Sequence, residues 1–160
     1  MIDFEKIREA NKKSEDVLNL DIVMSNIVHD DRLESLLQEE CEHAAECNNN
    51  EVRLCVSFTT VKSGNINVTM YIVRSNSADA TTFNLCSKPV MFNNINNINR
   101  GLAILMEALR DMGFKKIKIV DSDNKTEYNS VGDIGNITGE QFFHMGCRYT
   151  VVYTIEFDIN

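Results

Sequence analysis

Residues 95–120 read INNINRGLAILMEALRDMGFKKIKIV, and this stretch decides the fold. Its first part is apolar at the i, i+3, i+4 and i+7 spacing of one helix face. The spacing is carried by Ile95, Ile98, Leu102, Leu105, Met106, Leu109 and Met112. Gly113 stands where the C-terminal cap of a helix belongs, and the KKIKIV that follows indicates a strand. We therefore expect an amphipathic helix packed on a sheet, with four side chains buried: Leu102, Leu105, Met106 and Leu109.

A two-residue alternation of apolar and polar side chains predicts the rest of the sheet. Residues 52–58 and 66–72 alternate on either side of turn residues at 62–65, which predicts a hairpin. The closing stretch 145–159 alternates over eight apolar positions, and it predicts a strand about 45 Å long at ~3.3 Å per residue. Because strands usually have five or six residues, we expect this one to extend beyond its own sheet. Residues 125–128 indicate a short further strand.

Two N-terminal helices are predicted. Residues 3–14 form the first, with Asp3 as its cap, and residues 32–46 form the second, after capping side chains at 29–31. Residues 17–28 fit either a strand or a helix. The three asparagines after residue 47 end the second helix.

These segments together predict one domain of the α+β class over residues 1–160. Its architecture is an antiparallel β-sheet, with one long amphipathic helix and the N-terminal helices packed on it. Residues 1–48 form a mainly helical segment, and residues 51–160 form the sheet and the long helix. Residues 75–93 are polar and irregular, so we expect a protruding loop there.

Composition and charge exclude several classes of function. The 160 residues carry 16 Lys and Arg against 24 Asp and Glu, a net charge of -8. This balance argues against binding nucleic acid by neutralising phosphates, and no apolar run approaches the ~18 residues of a membrane helix. We expect no sequence-specific nucleic-acid partner and no membrane contact. The chain has five cysteines, and its start, MIDFEKIREANKK, lacks the apolar core of a signal peptide, so we expect free thiols in the cytosol.

Catalytic and metal-binding signals are weak. The sequence has no phosphate-binding glycine loop, no GxSxG and no HExxH. Cys41, His43 and Cys47 fall within one helix, but no second ligand pair follows at zinc-finger spacing. His144 and Cys147 do not meet on a strand, where Cys147 falls on the apolar face. We expect no catalytic residue, no metal and no cofactor.

Two charged clusters have both a functional and a structural interpretation. Residues 115–118 contain three lysines, with Arg100 and Arg110 nearby in sequence. They would bind phosphate or an acidic partner, but a solvated helix end and outer strand face explains them better. Asp121 and Asp123 resemble the start of a calcium loop, yet no Gly or Glu follows at the required positions. We interpret that pair as turn residues.

The order of elements resembles the tail terminator and tail-completion proteins of tailed bacteriophages. The residues that carry the resemblance are the helix NNINRGLAILMEALRDMGF, the strand KKIKIVD after it and the closing strand GCRYTVVYTIEFDI. The resemblance covers roughly residues 50–160, and the first fifty residues match less well. It implies a structural virion protein of the tail or neck, made in the host cytoplasm, with no active site.

The same resemblance implies a ring of identical subunits, commonly six in that family, that caps the tail tube and contacts other tail or neck proteins. A ring needs two different surfaces of each subunit to meet. We expect these surfaces on the 75–93 loop and on the polar side of the closing strand. The candidate interface residues are Phe83, Leu85, Val90, Met91, Phe92, Arg148, Thr150, Val152 and Thr154.

Two other classes of function stay open. One is an intracellular protein-binding or regulatory α+β domain that uses its sheet face or long loop. The other is a small enzyme whose site is assembled from scattered polar residues.

Overall fold

The computed structural model of this chain describes residues 1–10, 20–60, 65–73, 82–91, 97–121, 127–129, 131 and 148–159. Four helices lie in these ranges: residues 4–10 (α1), Leu20–Val28 (α2), Asp31–Glu46 (α3) and Asn97–Asp111 (α4). Six strands accompany them: Glu51–Thr60 (β1), Asn65–Val73 (β2), Thr82–Met91 (β3), Lys116–Asp121 (β4), Glu127–Tyr128 (β5) and Arg148–Glu156 (β6).

The strands form one sheet in the order β3-β2-β1-β6-β4-β5, and every neighbouring pair is antiparallel. The α+β class with an antiparallel sheet is therefore confirmed. The predicted hairpin is β1 and β2, in which Val56 pairs with Met70. The prediction of one long helix needs refinement, because α3 has 16 residues and α4 has 15.

Local capping explains where the helices begin and end. The Asp3 carboxylate accepts from the backbone N–H groups of Glu5 and Lys6 at 3.1 and 3.2 Å. Asp30 is the N-cap of α3 and accepts from the N–H of Arg32 at 3.0 Å. Gly113, with φ of 107°, ends α4 in a conformation that glycine adopts without strain. These caps are where the sequence predicted them.

The core lies between one face of the sheet, the inner face, and the helices. In β1, alternate residues from Val52 to Phe58 are buried there. Leu102, Leu105, Met106 and Leu109 of α4 are buried as predicted, at 0–3% exposure. The Tyr153 hydroxyl donates to the Leu102 carbonyl at 2.6 Å, which attaches α4 to β6. Each fully buried side chain of this size contributes about 1.5–3 kcal/mol.

The predicted protruding loop at 75–93 is wrong for residues 82–91. These residues form β3, which pairs with β2 along its whole length and is the edge strand of the sheet. The register shifts between Met70 and Tyr71, whose partners are Cys86 and Asn84, so the alternation in the sequence of β3 is interrupted. Pro89 also suggested a loop, but proline is tolerated in an edge strand because one side of that strand needs no donor. Residues 75–81, 92 and 93 lie outside the described ranges.

The prediction that the closing strand extends beyond its sheet is also wrong. β6 spans nine residues and lies in the middle of the sheet, between β1 and β4. Residues 157–159 are not in a strand, and residues 145–147 lie outside the described part of the chain. The alternation itself is confirmed, since Tyr149, Val151, Tyr153 and Ile155 are buried.

The N-terminal segments differ in how they pack. Residues 20–28 of the ambiguous stretch are helical, and α2 packs beside α4, with Met24 fully buried. Helix α3 buries Leu33, Leu37 and Ala44 in the same core. In contrast, all residues from 1 to 10 are exposed, so α1 is not packed on the sheet.

Candidate assembly interface

The sheet face opposite the helices, the outer face, carries four of the predicted interface residues. The register places Cys55 between Tyr71 and Val152, and Ser57 between Thr69 and Thr150. Most side chains on this face are half-exposed or exposed, namely Arg53, Thr69, Tyr71, Val73, Val120, Arg148, Thr150, Val152 and Thr154. The outer face is therefore a surface of hydroxyls, β-branched side chains and charges.

Hydrogen bonds order the centre of the outer face. The hydroxyls of Ser57 and Thr150 lie 2.9 Å apart across β1 and β6. The Arg148 guanidinium donates to the Ser57 hydroxyl at 3.4 Å, and Ser57 is only 3% exposed beneath it. A side chain held in this way loses less conformational freedom when a neighbour binds, which favours a stable contact.

The outer face also carries a buried thiol, two residues along β1 from Ser57. Cys55 is 5% exposed. Burial raises the pKa of its thiol, while the Tyr71 hydroxyl and the guanidinium groups of Arg53 and Arg148 act in the opposite direction. A buried, protonated thiol is a poor nucleophile. Cys55 is therefore a packing residue of the outer face.

Charges line the end of the outer face beside β4. Lys116 lies 3.6 Å from Glu156, and Lys118 lies 3.7 Å from Glu127. Both pairs are exposed, so each contributes little to stability. A groove of about 420 Å³ is lined by these side chains together with Arg110 and other residues of β4 and its neighbours. Two of the three lysines of the predicted basic cluster thus face carboxylates, which weakens the case for a phosphate site.

The structure brings some of the predicted interface residues together and not others. Arg148, Thr150, Val152 and Thr154 share the outer face of β6. Their strand is paired on both sides, so its backbone edge is not open to another subunit. The positions Phe83, Leu85, Val90 and Met91 lie in the edge strand β3, which β2 and β1 separate from β6, and Phe92 lies outside the described residues.

The residues considered as a metal site lie near the end of α3. They are Cys41, His43 and Cys47, of which Cys41 is half-buried and Cys47 is exposed. Burial, with a smaller effect of Glu40 and Glu42, raises the pKa of Cys41 to about 11. No group of three or more metal-ligating side chains converges in the described ranges.

The predicted turn residue Asp121 is the last residue of β4 and is 5% exposed. Its carboxylate accepts a hydrogen bond of 2.8 Å from the Tyr149 hydroxyl. The Tyr149 ring also stacks on Phe58, with ring centroids 6.4 Å apart. Tyr149 and Tyr153 are both core residues of β6. Asp123, His144 and Cys147 lie outside the described part of the chain.

A second groove escaped the sequence analysis. It has a volume of about 480 Å³ and lies between the end of α2, the start of α3 and the last two turns of α4. Its apolar lining is formed by Val28, Ile104, Ala108 and Met112, and its polar lining by His29, Glu34, Glu107 and Asp111. Periodicity places these residues at the border of the apolar face of each helix. It does not indicate which helices pack side by side, so the groove between them could not be predicted.

Comparison of the chain with protein-family models, with curated proteins and with solved structures gave no match. Among the described helices, none combines the length and apolar character that a membrane span requires.

Proposed function

We propose that this protein is a structural component of a tailed bacteriophage virion, a ring-forming tail terminator or tail-to-neck connector. The resemblance in element order, from the amphipathic helix through KKIKIVD to the closing strand, supports the proposal. The α+β fold with an antiparallel sheet is compatible with it.

The observation that carries the proposal is that the two ends of the sheet are unlike. One end is β3, a ten-residue edge strand with no strand partner on its far side within the described residues. The other end is β5, a two-residue strand that pairs with Ile119 and Val120 of β4. Unlike surfaces that meet head to tail generate rings when the rotation closes. Backbone edges are common sites of such pairing between subunits.

The outer face adds contact area next to both sheet ends. Its centre is held by the hydrogen bonds among Arg148, Ser57 and Thr150. In the complete ring, the net charge of -8 per subunit would disfavour adhesion of double-stranded DNA to a central channel. Neither feature requires an active site.

Native mass spectrometry of the full chain, over a hundredfold range of concentration, tests the proposal. We expect a single oligomer of fixed subunit number, seen as a ring in negative-stain electron micrographs. A Val152→Arg/Thr154→Arg variant should assemble more weakly, because it places two charges in the middle of the outer face. A Glu39→Arg variant on exposed α3 is the control and should assemble normally.

A chain that stays monomeric at every concentration would contradict the ring. If such a monomer captured one specific partner instead, the result would favour the alternative of a protein-binding domain.

A further inference from the structure

The N-terminal helix exposes an apolar side. Phe4 and Ile7 are 65% and 55% exposed, and Ile2 before them is 67% exposed. Large apolar side chains that recur at helical spacing usually pack against another surface. No described residue covers those of α1.

The charges of α1 are arranged around this apolar side. At ~100° per residue, Phe4 and Ile7 lie on one side of the helix, and Arg8 projects next to Phe4. Glu5 and Glu9 fall on the opposite side. A partner surface that contacts Phe4 and Ile7 would thus meet a cation and avoid both carboxylates.

The groove between α2, α3 and α4 has the complementary character. Its lining includes Val28, Ile104 and Met112, which are half-buried apolar side chains. Glu34, Glu107 and Asp111 supply three exposed carboxylates, and among the described residues no lysine or arginine lines the groove. Opposite charges around an apolar contact fix the orientation of a partner.

We propose that α1 of one copy docks in the groove between α2, α3 and α4 of a second copy, with Phe4 and Ile7 on the apolar floor and Arg8 at the acidic rim. In the single chain α1 is exposed, so the chain's own helix is not seated in the groove. The inference rests on the proposed function, since it names a contact by which one subunit meets the next.

The connection between α1 and α2 permits this exchange. Residues 11–19 separate the two helices, and nine residues span up to ~30 Å. That reach is large compared with the width of a helix, ~10 Å. The N-terminal arm, which is residues 1–10 with α1, can therefore cross to an adjacent subunit. The contact joins two different surfaces, and it can therefore repeat around a ring.

Variants of the full chain test the contact from both sides, with native mass spectrometry and sedimentation velocity as readouts. Phe4→Asp/Ile7→Asp changes the arm, and Glu107→Lys/Asp111→Lys changes the groove. We expect each pair of substitutions to weaken self-association by at least tenfold. High salt should weaken association of the wild-type chain, because the rim contacts are exposed.

Matched controls separate this contact from general effects of charge and folding. Glu5→Asn/Glu9→Asn alters only the opposite side of α1, and Glu39→Lys/Glu46→Lys makes the same charge change as the groove variant on an exposed part of α3. Both should assemble as the wild type does. The circular dichroism spectrum of every variant should match that of the wild type, and the thermal midpoints of the two control variants should match it as well.

Exchange between copies is read directly with a photo-crosslinking amino acid at position 4. Equal amounts of unlabelled and ¹⁵N-labelled chains are mixed, unfolded, refolded and irradiated. We expect crosslinks between light and heavy chains that map to residues 104–112.

Crosslinks only within one chain would overturn the exchange, as would normal assembly of both the arm and the groove variants. If those variants assemble normally into a ring, the inference fails and the proposed function stands. If the wild type forms crosslinked open chains rather than a ring of fixed size, the inference stands and the proposed function fails.

Discussion

Removing the Tyr149 hydroxyl tests whether the buried polar contact at the end of β4 stabilises the fold. Tyr149 and Asp121 are 1% and 5% exposed, and their hydrogen bond is 2.8 Å long. Tyr149→Phe keeps the ring and its stacking on Phe58, so the substitution leaves no large cavity. What it removes is a hydrogen bond to a buried carboxylate.

The expected loss follows from the chemistry of the acceptor. A hydrogen bond to a charged group is worth about 1.5–3 kcal/mol, and one between neutral groups about 0.5–1.5 kcal/mol. Tyr153→Phe is the matched comparison, because Tyr153 lies on the same strand, is fully buried and donates to the neutral Leu102 carbonyl. That carbonyl also lies within a helix, where it accepts a backbone N–H. We therefore expect Tyr149→Phe to cost more than Tyr153→Phe by about 1 kcal/mol.

Equilibrium unfolding in urea at neutral pH measures both losses, provided that the slope with denaturant is unchanged. In an Asp121→Asn background, Tyr149→Phe should cost less than it does in the wild type, because the hydrogen bond it then removes is to a neutral amide oxygen. A Tyr149→Phe variant within ~0.5 kcal/mol of the wild type would refute the reasoning, because the carboxylate would then be solvated equally well without the tyrosine.

Three further predictions concern the core and the ionisable groups. Leu105→Ala should reduce the free energy of unfolding by about 2–5 kcal/mol, because Leu105 is fully buried between α4 and the sheet. Among the three cysteines of described exposure, a thiol reagent at pH 8 should modify exposed Cys47 first, half-buried Cys41 more slowly and buried Cys55 last, as peptide mapping by mass spectrometry would show. Burial raises the pKa of Tyr153 above its ordinary value of 10.0, so the unfolded chain loses this proton first. The free energy of unfolding should therefore fall as the pH rises past about 10, and less steeply in Tyr153→Phe.

For each of these three predictions, a particular result would contradict the reasoning. Glu39→Ala, on the exposed side of α3, should change stability by less than ~0.5 kcal/mol, and an equally small effect of Leu105→Ala would mean that α4 is not packed on the sheet. Modification of Cys55 before Cys47 in the folded protein would contradict the burial of Cys55 on the outer face. If the free energy of unfolding of Tyr153→Phe fell as steeply with rising pH as that of the wild type, the pH dependence would come from groups other than Tyr153.

The sequence predicts those helices and strands whose signals, side-chain period and capping residues, lie within a few neighbouring residues. The spacing from Ile98 to Leu109 is that of a helix, the alternation from Val52 to Phe58 is that of a strand, and Gly113 ends α4 because it adopts a positive φ without strain. These features were predicted correctly because period and cap chemistry act locally. The order of strands is different, since it depends on which distant segments bury one another.

Residues 82–91 show how a local signal is lost. The register shift opposite Met70 and Tyr71 breaks the alternation, and Pro89 in the strand suggested a loop. Pairing with β2 overrides both signals, because the backbone hydrogen bonds of an edge strand need only one partner. The predicted loop is wrong over residues 82–91 for this reason, while the predicted interface residues on β6 share one face of a single strand.

The sequence by itself determined the class of the fold, the helix and strand faces and the residues of the core, because burial of an apolar face follows directly from periodicity. Only the tertiary structure decided that β6 lies inside the sheet, that β3 is an edge and that Cys55 and Ser57 are buried on the outer face. It also decided that α1 is exposed and that an acidic groove lies between α2, α3 and α4. These facts depend on contacts between residues far apart in the chain. Such contacts form where the gain from burial exceeds the entropy of loop closure, which no local pattern records.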